Sequence, residues 1–156
     1  MIELKITPEQ VERGKILYEF GILNNSILHG EGNLLGAIGE IITFDYCQDK
    51  VKKLIHAQNY DFDLIVNDYK IEIKTQSVKY KPESTWTCNV PAANSTQQCD
   101  FYCFVFINKD LSKGWIAGKI TRQKFNEIKI LKKQGEIGYY KPFLRDTFIT
   151  YINQLS

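Results

Sequence analysis

The chain has 156 residues, of which 44% are hydrophobic and 24% charged, with a formal net charge of +2. This length suits one domain, residues 1–156, with a real core, and the composition excludes collagen-like, coiled-coil and disordered classes. Bulk charge this close to neutral does not announce nucleic-acid binding, which would need a local basic patch.

The opening residues, MIELKITPEQ, lack a leader's apolar run and cleavage site, and no apolar stretch reaches the ~18 residues of a membrane span. The expectation is a cytoplasmic protein with no membrane partner. Thr7-Pro8-Glu9-Gln10 reads as a helix start, with Thr as N-cap, Pro at the first position and Gln at the third. Val11, Lys15 and Tyr18 carry that helix to about Leu23, and Asn24 to Gly32 is a polar connection. A second helix is expected near Leu34 to Cys47, where Leu34, Ala37, Ile38, Ile41, Ile42 and Phe44 form a wide apolar stripe. Gly36 and Gly39 within it suggest that another backbone packs close. His29 and His56 read as isolated surface or packing residues, and Cys47, Cys88, Cys99 and Cys103 as reduced thiols. A Cys88/Cys99/Cys103 metal site is the lesser alternative.

Two strands flank Asn67-Asp68 in YDFDLIVNDYKIEIKTQ, Tyr60 to Gln76. A long polar stretch, Ser77 to Gln98, follows, with a short strand at Thr85–Val90. Phe101–Ile107 is a continuous apolar run that reads as a buried strand, and Trp115–Ile120 as another after a turn at Asp110–Gly114. Thr121 caps a helix to about Lys133, Gly135 stops it, and Tyr139 to Ile152 returns over the sheet. The order predicts a mixed α/β domain around one small central sheet.

The hairpin carries charge where apolar residues are expected. Side chains alternate faces along a strand, so Lys70, Glu72 and Lys74 oppose Ile71 and Ile73. A two-residue turn pairs Val66 with Tyr69 and sets Asp63 opposite Glu72 and Asp61 opposite Lys74. A four-residue loop sets Asp63 opposite Lys74 instead. Asp63, Glu72 and Lys74 share a face in either register. Facing carboxylates ~4.5–5.5 Å apart repel unless one is protonated or a cation lies between them. A hard divalent cation is the simplest resolution. Surface ion pairs, Asp61–Lys74 and Asp63–Lys70, are the bland alternative.

At these residues the sequence resembles the PD-(D/E)XK nuclease superfamily: Asp63, an eight-residue gap, then Glu72-Ile73-Lys74. Phe62 stands where the motif's Pro would be. Glu40, in GAIGE, resembles the acidic helix residue many members use, and Thr75-Gln76 the polar continuation. The resemblance spans roughly residues 33–133 and is similar to small phage and bacterial nucleases, Holliday-junction resolvases among them. It implies a restriction-endonuclease-like central mixed β-sheet flanked by helices. It also implies a Mg²⁺-dependent DNA endonuclease, with Mn²⁺ as substitute, that leaves 5′-phosphate and 3′-hydroxyl ends in a bacterial or phage-infected cell. Asp63, Glu72, the Ile73 carbonyl and Glu40 would hold the metal. Lys74 would orient or deprotonate the attacking water, or stabilise charge on the phosphate. Gln76 would contact phosphate or water, unless it only ends a solvated strand; Glu40 has a bland reading as a solvent-facing helix residue. Analogy adds a homodimer and tilts towards structure-directed cutting. A restriction-type or repair nuclease and a noncatalytic nucleic-acid-binding module remain alternatives.

Two basic sets are candidate DNA contacts. Lys79, Tyr80, Lys81 and Trp86 mix charge with stacking surface; an ordinary loop with Trp86 in the core is the alternative. Lys119, Arg122, Lys124, Lys129, Lys132 and Lys133 surround the last expected helix, where a solvated helix face is the commoner use of such residues.

Overall fold

The computed structural model describes residues 1–23, 33–57, 59–139 and 141–156, so the connection expected at 24–32, with His29, lies outside the described residues. Strand β1 spans Ile2–Lys5, helix α1 Pro8–Leu23 and helix α2 Asn33–Gln48. Then come β2 (Leu54–His56), β3 (Leu64–Val66), β4 (Tyr69–Val78), β5 (Thr87–Pro91), β6 (Phe101–Asn108) and β7 (Lys113–Thr121). Helix α3 (Arg122–Ile128), β8 (Ile130–Lys132) and β9 (Thr147–Tyr151) complete the described α-helices and strands, with 3₁₀ turns at Ala92–Asn94 and Ile152–Gln154. The architecture is mixed α/β, as the element order predicts.

The six-stranded sheet runs β1-β7-β6-β4-β3-β2, antiparallel except for the parallel β4–β6 pair. Alternation explains its two cores. Tyr102, Phe104 and Phe106 face one way, against β5, α3 and the chain end; Cys103, Val105 and Ile107 face the other, towards Ile38 and Ile42 of α2. Burial on both faces accounts for the unbroken apolar run of β6. Each fully buried side chain of this kind contributes about 1.5–3 kcal/mol of transfer free energy.

Helix α1 starts as its sequence predicts. Gln10 N donates to Thr7 Oγ1 at 3.2 Å and Thr7 N to Gln10 Oε1 at 3.0 Å, a reciprocal cap. Gly14 lets α1 approach α2, because a Cβ there would stand 2.6 Å from Ile38 Cγ1. Of the two glycines in α2, Gly39 is the close-packing one: a Cβ would overlap Thr75 Oγ1 on β4, whereas a Cβ on Gly36 would meet none of the described residues within 4 Å. Among the described residues no helix is long and apolar enough to cross a membrane.

Several expectations need correction. The described strands form two sheets, because β5, β9 and β8 form a separate three-stranded sheet. Helices α1 and α2 therefore cover one face, while the small sheet and the short α3 cover the other. The helix expected to reach Lys133 stops at Ile128; Lys129 turns extended, and Ile130–Lys132 pairs with β9. Tertiary pairing outweighs helix propensity there. The Ser77–Gln98 stretch is largely ordered by the end of β4, by β5 and by a 3₁₀ turn at Ala92–Asn94. Strands β1, β2 and β8 were too short to stand out in the sequence.

Candidate active site

The β3–β4 turn has two residues, Asn67 and Asp68, with φ of 48° and 73°, and Val66 pairs with Tyr69. The tight-turn register therefore holds, but the ladder ends at Leu64↔Ile71. Asp63 N donates to the Ile71 carbonyl at 2.9 Å, one step out of that register. The two strands part at this point. The N–H and C=O of Ile73 project from the β4 edge that β3 has left, and Asp63 Oδ2 accepts the Ile73 N–H at 2.7 Å. Asp63 thus lies edge-on to the sheet instead of squarely opposite Glu72. Asp61 does not reach a position opposite Lys74; its Oδ1 accepts from Gln98 N at 2.9 Å.

Glu72 and Lys74 lie on the face away from α2. Glu72 is 5% exposed, and its Oε1 accepts from Lys74 Nζ at 2.7 Å and from Gln97 Nε2 at 2.8 Å. Its Oε2 is buried and has no hydrogen-bond partner among the described residues. Lys74 Nζ also donates to Gln97 Oε1 at 2.8 Å. Glu40 arrives from the opposite face, because Gly39 lets α2 settle on Thr75. It is half-buried, and its Oε2 lies 2.9 Å from His56 Nε2. The solvent-facing reading of Glu40 and the isolated reading of His56 both give way to this pair.

Electrostatics concentrate here. Burial first, then Glu40 and Glu72, push Asp63 well above the usual carboxylate range, against the pull of the Ile73 N–H and Lys74. Burial likewise raises Glu72, although Lys74 and Gln97 pull the other way. Three acids therefore crowd one edge with a single ammonium. Among the described residues no three His, Cys, Asp or Glu side chains stand as a finished metal cage. Glu40 is engaged with His56 and Asp63 with a backbone N–H. The donor set nevertheless fits a hard dication: carboxylate oxygens, one of them orphaned, beside a strand-edge carbonyl.

The other proposed residues divide. Gln76 spends its amide on β5, donating to the Thr87 carbonyl at 3.1 Å and accepting from Asn89 N at 2.8 Å, so it joins the two sheets. Lys119 lies over the Phe101 ring, and Arg122, half-buried, is close enough to lower the Cys99 thiol against the effect of burial. Phe101 pairs with Ile71, so these two cations stand at the Asp63 end of β4. Lys124 is exposed and paired with Glu127 at 3.5 Å. Lys79, Tyr80 and Lys81 are exposed past the other end of β4, and eight residues of strand separate Ile71 from Lys79 by about 26 Å. Lys81 is instead near Glu3 of β1. Trp86 is half-buried against the core, with its ring centroid 6.0 Å from that of Tyr139, so packing replaces the expected stacking platform. The two basic sets are not one patch.

Sequence reasoning missed His56 and Gln97. His56 stood out only as a polar residue between Ile55 and Ala57, and Gln97, between Thr96 and Gln98, gave no local signal, since their partners lie 16 and 25 residues away. A scan against protein-family models and a search of curated proteins each found no match.

Proposed function

We propose that this chain is a metal-dependent DNA endonuclease of the PD-(D/E)XK type, with a restriction-endonuclease-like sheet. The observation that carries the reading is the buried Glu72, its Oε1 accepting from Lys74 and Gln97 and its Oε2 without a hydrogen-bond partner among the described residues, with its carboxylate close enough to Asp63 to help raise that acid's pKa. A protein with only structural ion pairs gains nothing from such an arrangement, because a buried carboxylate oxygen without a hydrogen bond costs stability even when its partner oxygen is paired.

Asp63, Glu72 Oε2, the Ile73 carbonyl and Glu40 would hold Mg²⁺ or Mn²⁺. The ion would supply Lewis-acid stabilisation of charge on the scissile phosphate. Lys74 has three donors and, among the described residues, uses two, on Glu72 and Gln97, so the third would orient the attacking water or a phosphate oxygen. Hydrolysis adds the water oxygen to phosphorus and breaks the P–O3′ bond, leaving 5′-phosphate and 3′-hydroxyl ends. Lys119 and Arg122 stand where they can meet the DNA backbone beside the site. A homodimer cutting two strands of branched DNA fits the small size of the chain.

The test incubates supercoiled, linear, single-stranded and four-way-junction DNA with the protein in Mg²⁺, Mn²⁺ or EDTA. Cleavage in metal, absent in EDTA and in Lys74→Ala, is the expected result. Retention by Lys74→Ala of full wild-type cleavage would remove the proposal.

A further inference from the structure

Gln97 is 3% exposed and sits in the segment between the 3₁₀ turn and β6. That segment is tied over the site. Tyr60 Oη lies 3.4 Å from Thr96 Oγ1, Asp61 accepts from Gln98 N, and Asp100 N donates to the Lys70 carbonyl at 2.8 Å. The Gln97 amide itself is fully used: Oε1 accepts from Lys74, while Nε2 donates to Glu72 Oε1 and to the Tyr60 carbonyl.

We infer that Gln97 is the positioning residue of the site. Its amide orients the carboxylate of Glu72 and the ammonium of Lys74, so that Glu72 Oε2 and one Lys74 proton stay free for cation and substrate. The inference rests on the nuclease reading above.

A neutral amide suits this place. It offers an acceptor to Lys74 and a donor to Glu72 at once, which neither a carboxylate nor a hydroxyl can do in one rigid plane. By loading Oε1 with two donors it fixes which oxygen of Glu72 remains available. Lys74 alone could swing between both oxygens; held also by Gln97, it cannot. The cost of burying the amide is offset by its three hydrogen bonds. Gln98, its exposed neighbour, donates its side-chain amide to the Thr96 carbonyl and, among the described residues, to nothing at the site, so it serves as the control position.

The experiment compares wild type, Gln97→Met, Gln97→Glu and Gln98→Ala. Gln97→Met keeps the length and removes both hydrogen-bonding functions; Gln97→Glu keeps the acceptor for Lys74 and removes the donor to Glu72. Two readouts are taken: steady-state DNA cleavage with varied substrate, and Mn²⁺ binding by calorimetry without DNA. Expected for Gln97→Met are a kcat lower by about 10–100-fold, a KM within about twofold of wild type and a weaker Mn²⁺ midpoint, as for partners that orient metal-holding side chains. Gln97→Glu falls between Gln97→Met and wild type in kcat, and Gln98→Ala matches wild type. Wild-type kcat and Mn²⁺ affinity in Gln97→Met would overturn the assignment. If Gln97→Met does not fold, Gln97→Glu decides by the same comparison with wild type. If wild-type protein cleaves no DNA, the nuclease reading fails separately. The Mn²⁺ titration of the folded variant then settles Gln97: a shifted midpoint keeps it, an unshifted one removes it.

Discussion

Asp45 and Asp63 are both half-buried aspartates, and their surroundings drive them in opposite directions. Asp45, on α2, meets Arg13 of α1 through two parallel bonds of 2.8 and 2.9 Å and also accepts from Gln10 Nε2 at 2.8 Å. Burial alone would raise its pKa, but these donors overcome it and hold the carboxyl below its ordinary value. Asp63 is pushed well up by burial first and then by Glu40 and Glu72, because one backbone N–H and a shared ammonium do not offset them. The first site is complete as it stands. The second is crowded with acids and short of positive charge, the pattern expected of a binding site if the proposed function holds.

The largest expected effect breaks that contrast by neutralising Asp63. In Asp63→Asn, DNA cleavage should fall by on the order of 10²–10³-fold, while Asn Oδ1 can still accept the Ile73 N–H. Its fold should gain. Asp63 and Glu72 have raised folded-state pKa values, so the folded state holds protons that the unfolded state releases from about pH 4 upward. Wild-type stability therefore falls as pH rises through that window, and the loss is complete above the folded values. Melting in EDTA from pH 4.5 to 8 should show this decline, smaller in Asp63→Asn. At pH 8 the variant should melt about 2–4 °C higher for each kcal/mol relieved, and Mg²⁺ should raise wild-type Tm at pH 8 more than at pH 5. A wild-type Tm that rises across this range and ignores Mg²⁺ would remove the crowding argument.

A smaller effect concerns how the acids are brought together. A Cβ on Gly39 would overlap the Thr75 side chain, so Gly39→Ala must lift α2 from β4 and carry Glu40 with it. The cost expected for such overpacking is about 1–3 kcal/mol, with cleavage lowered as well. Thr75→Ala removes the atoms in the way, so the double variant should recover part of both losses. A double variant no better than Gly39→Ala would place the constraint elsewhere.

What the sequence disclosed follows from these distances. The Asn67-Asp68 turn, the alternation that sends Ile71 and Ile73 towards α2, and the two-sided burial of β6 are local patterns with fixed periods, and they were legible. Asp63, Glu72 and Lys74 were legible because one hairpin carries all three. The edge-on placement of Asp63 was not, since it depends on where β3 parts from β4. Nor was the His56–Glu40 pair or the Gln97 bridge, because each spans elements whose packing no local pattern encodes. Gln76 misled for the same reason: its partners, Thr87 and Asn89, belong to a second sheet that the sequence had shown only as a polar stretch.

The smallest effect tests the other half of the comparison. Asp45→Asn removes the charge from a pair whose side chains are 35% and 25% exposed, so solvent already screens much of its attraction. The loss should be about 1 kcal/mol, read as a Tm lower by about 2–4 °C at pH 7. Because the Asp45 pKa is lowered in the fold, its contribution is present above the unfolded value near pH 4 and is lost as pH falls below it. The difference between Asp45→Asn and wild type should therefore shrink on acidification towards pH 3. The gap between Asp63→Asn and wild type should also close on acidification, but with the opposite sign, since that variant is the more stable partner at pH 8. DNA cleavage by Asp45→Asn should stay at the wild-type level, because α2 remains seated through Gly39 and Ile38 rather than through its charges. A loss of cleavage without unfolding would mean that the Arg13–Asp45 clamp sets the height of Glu40 over β4, and that the two aspartates are coupled.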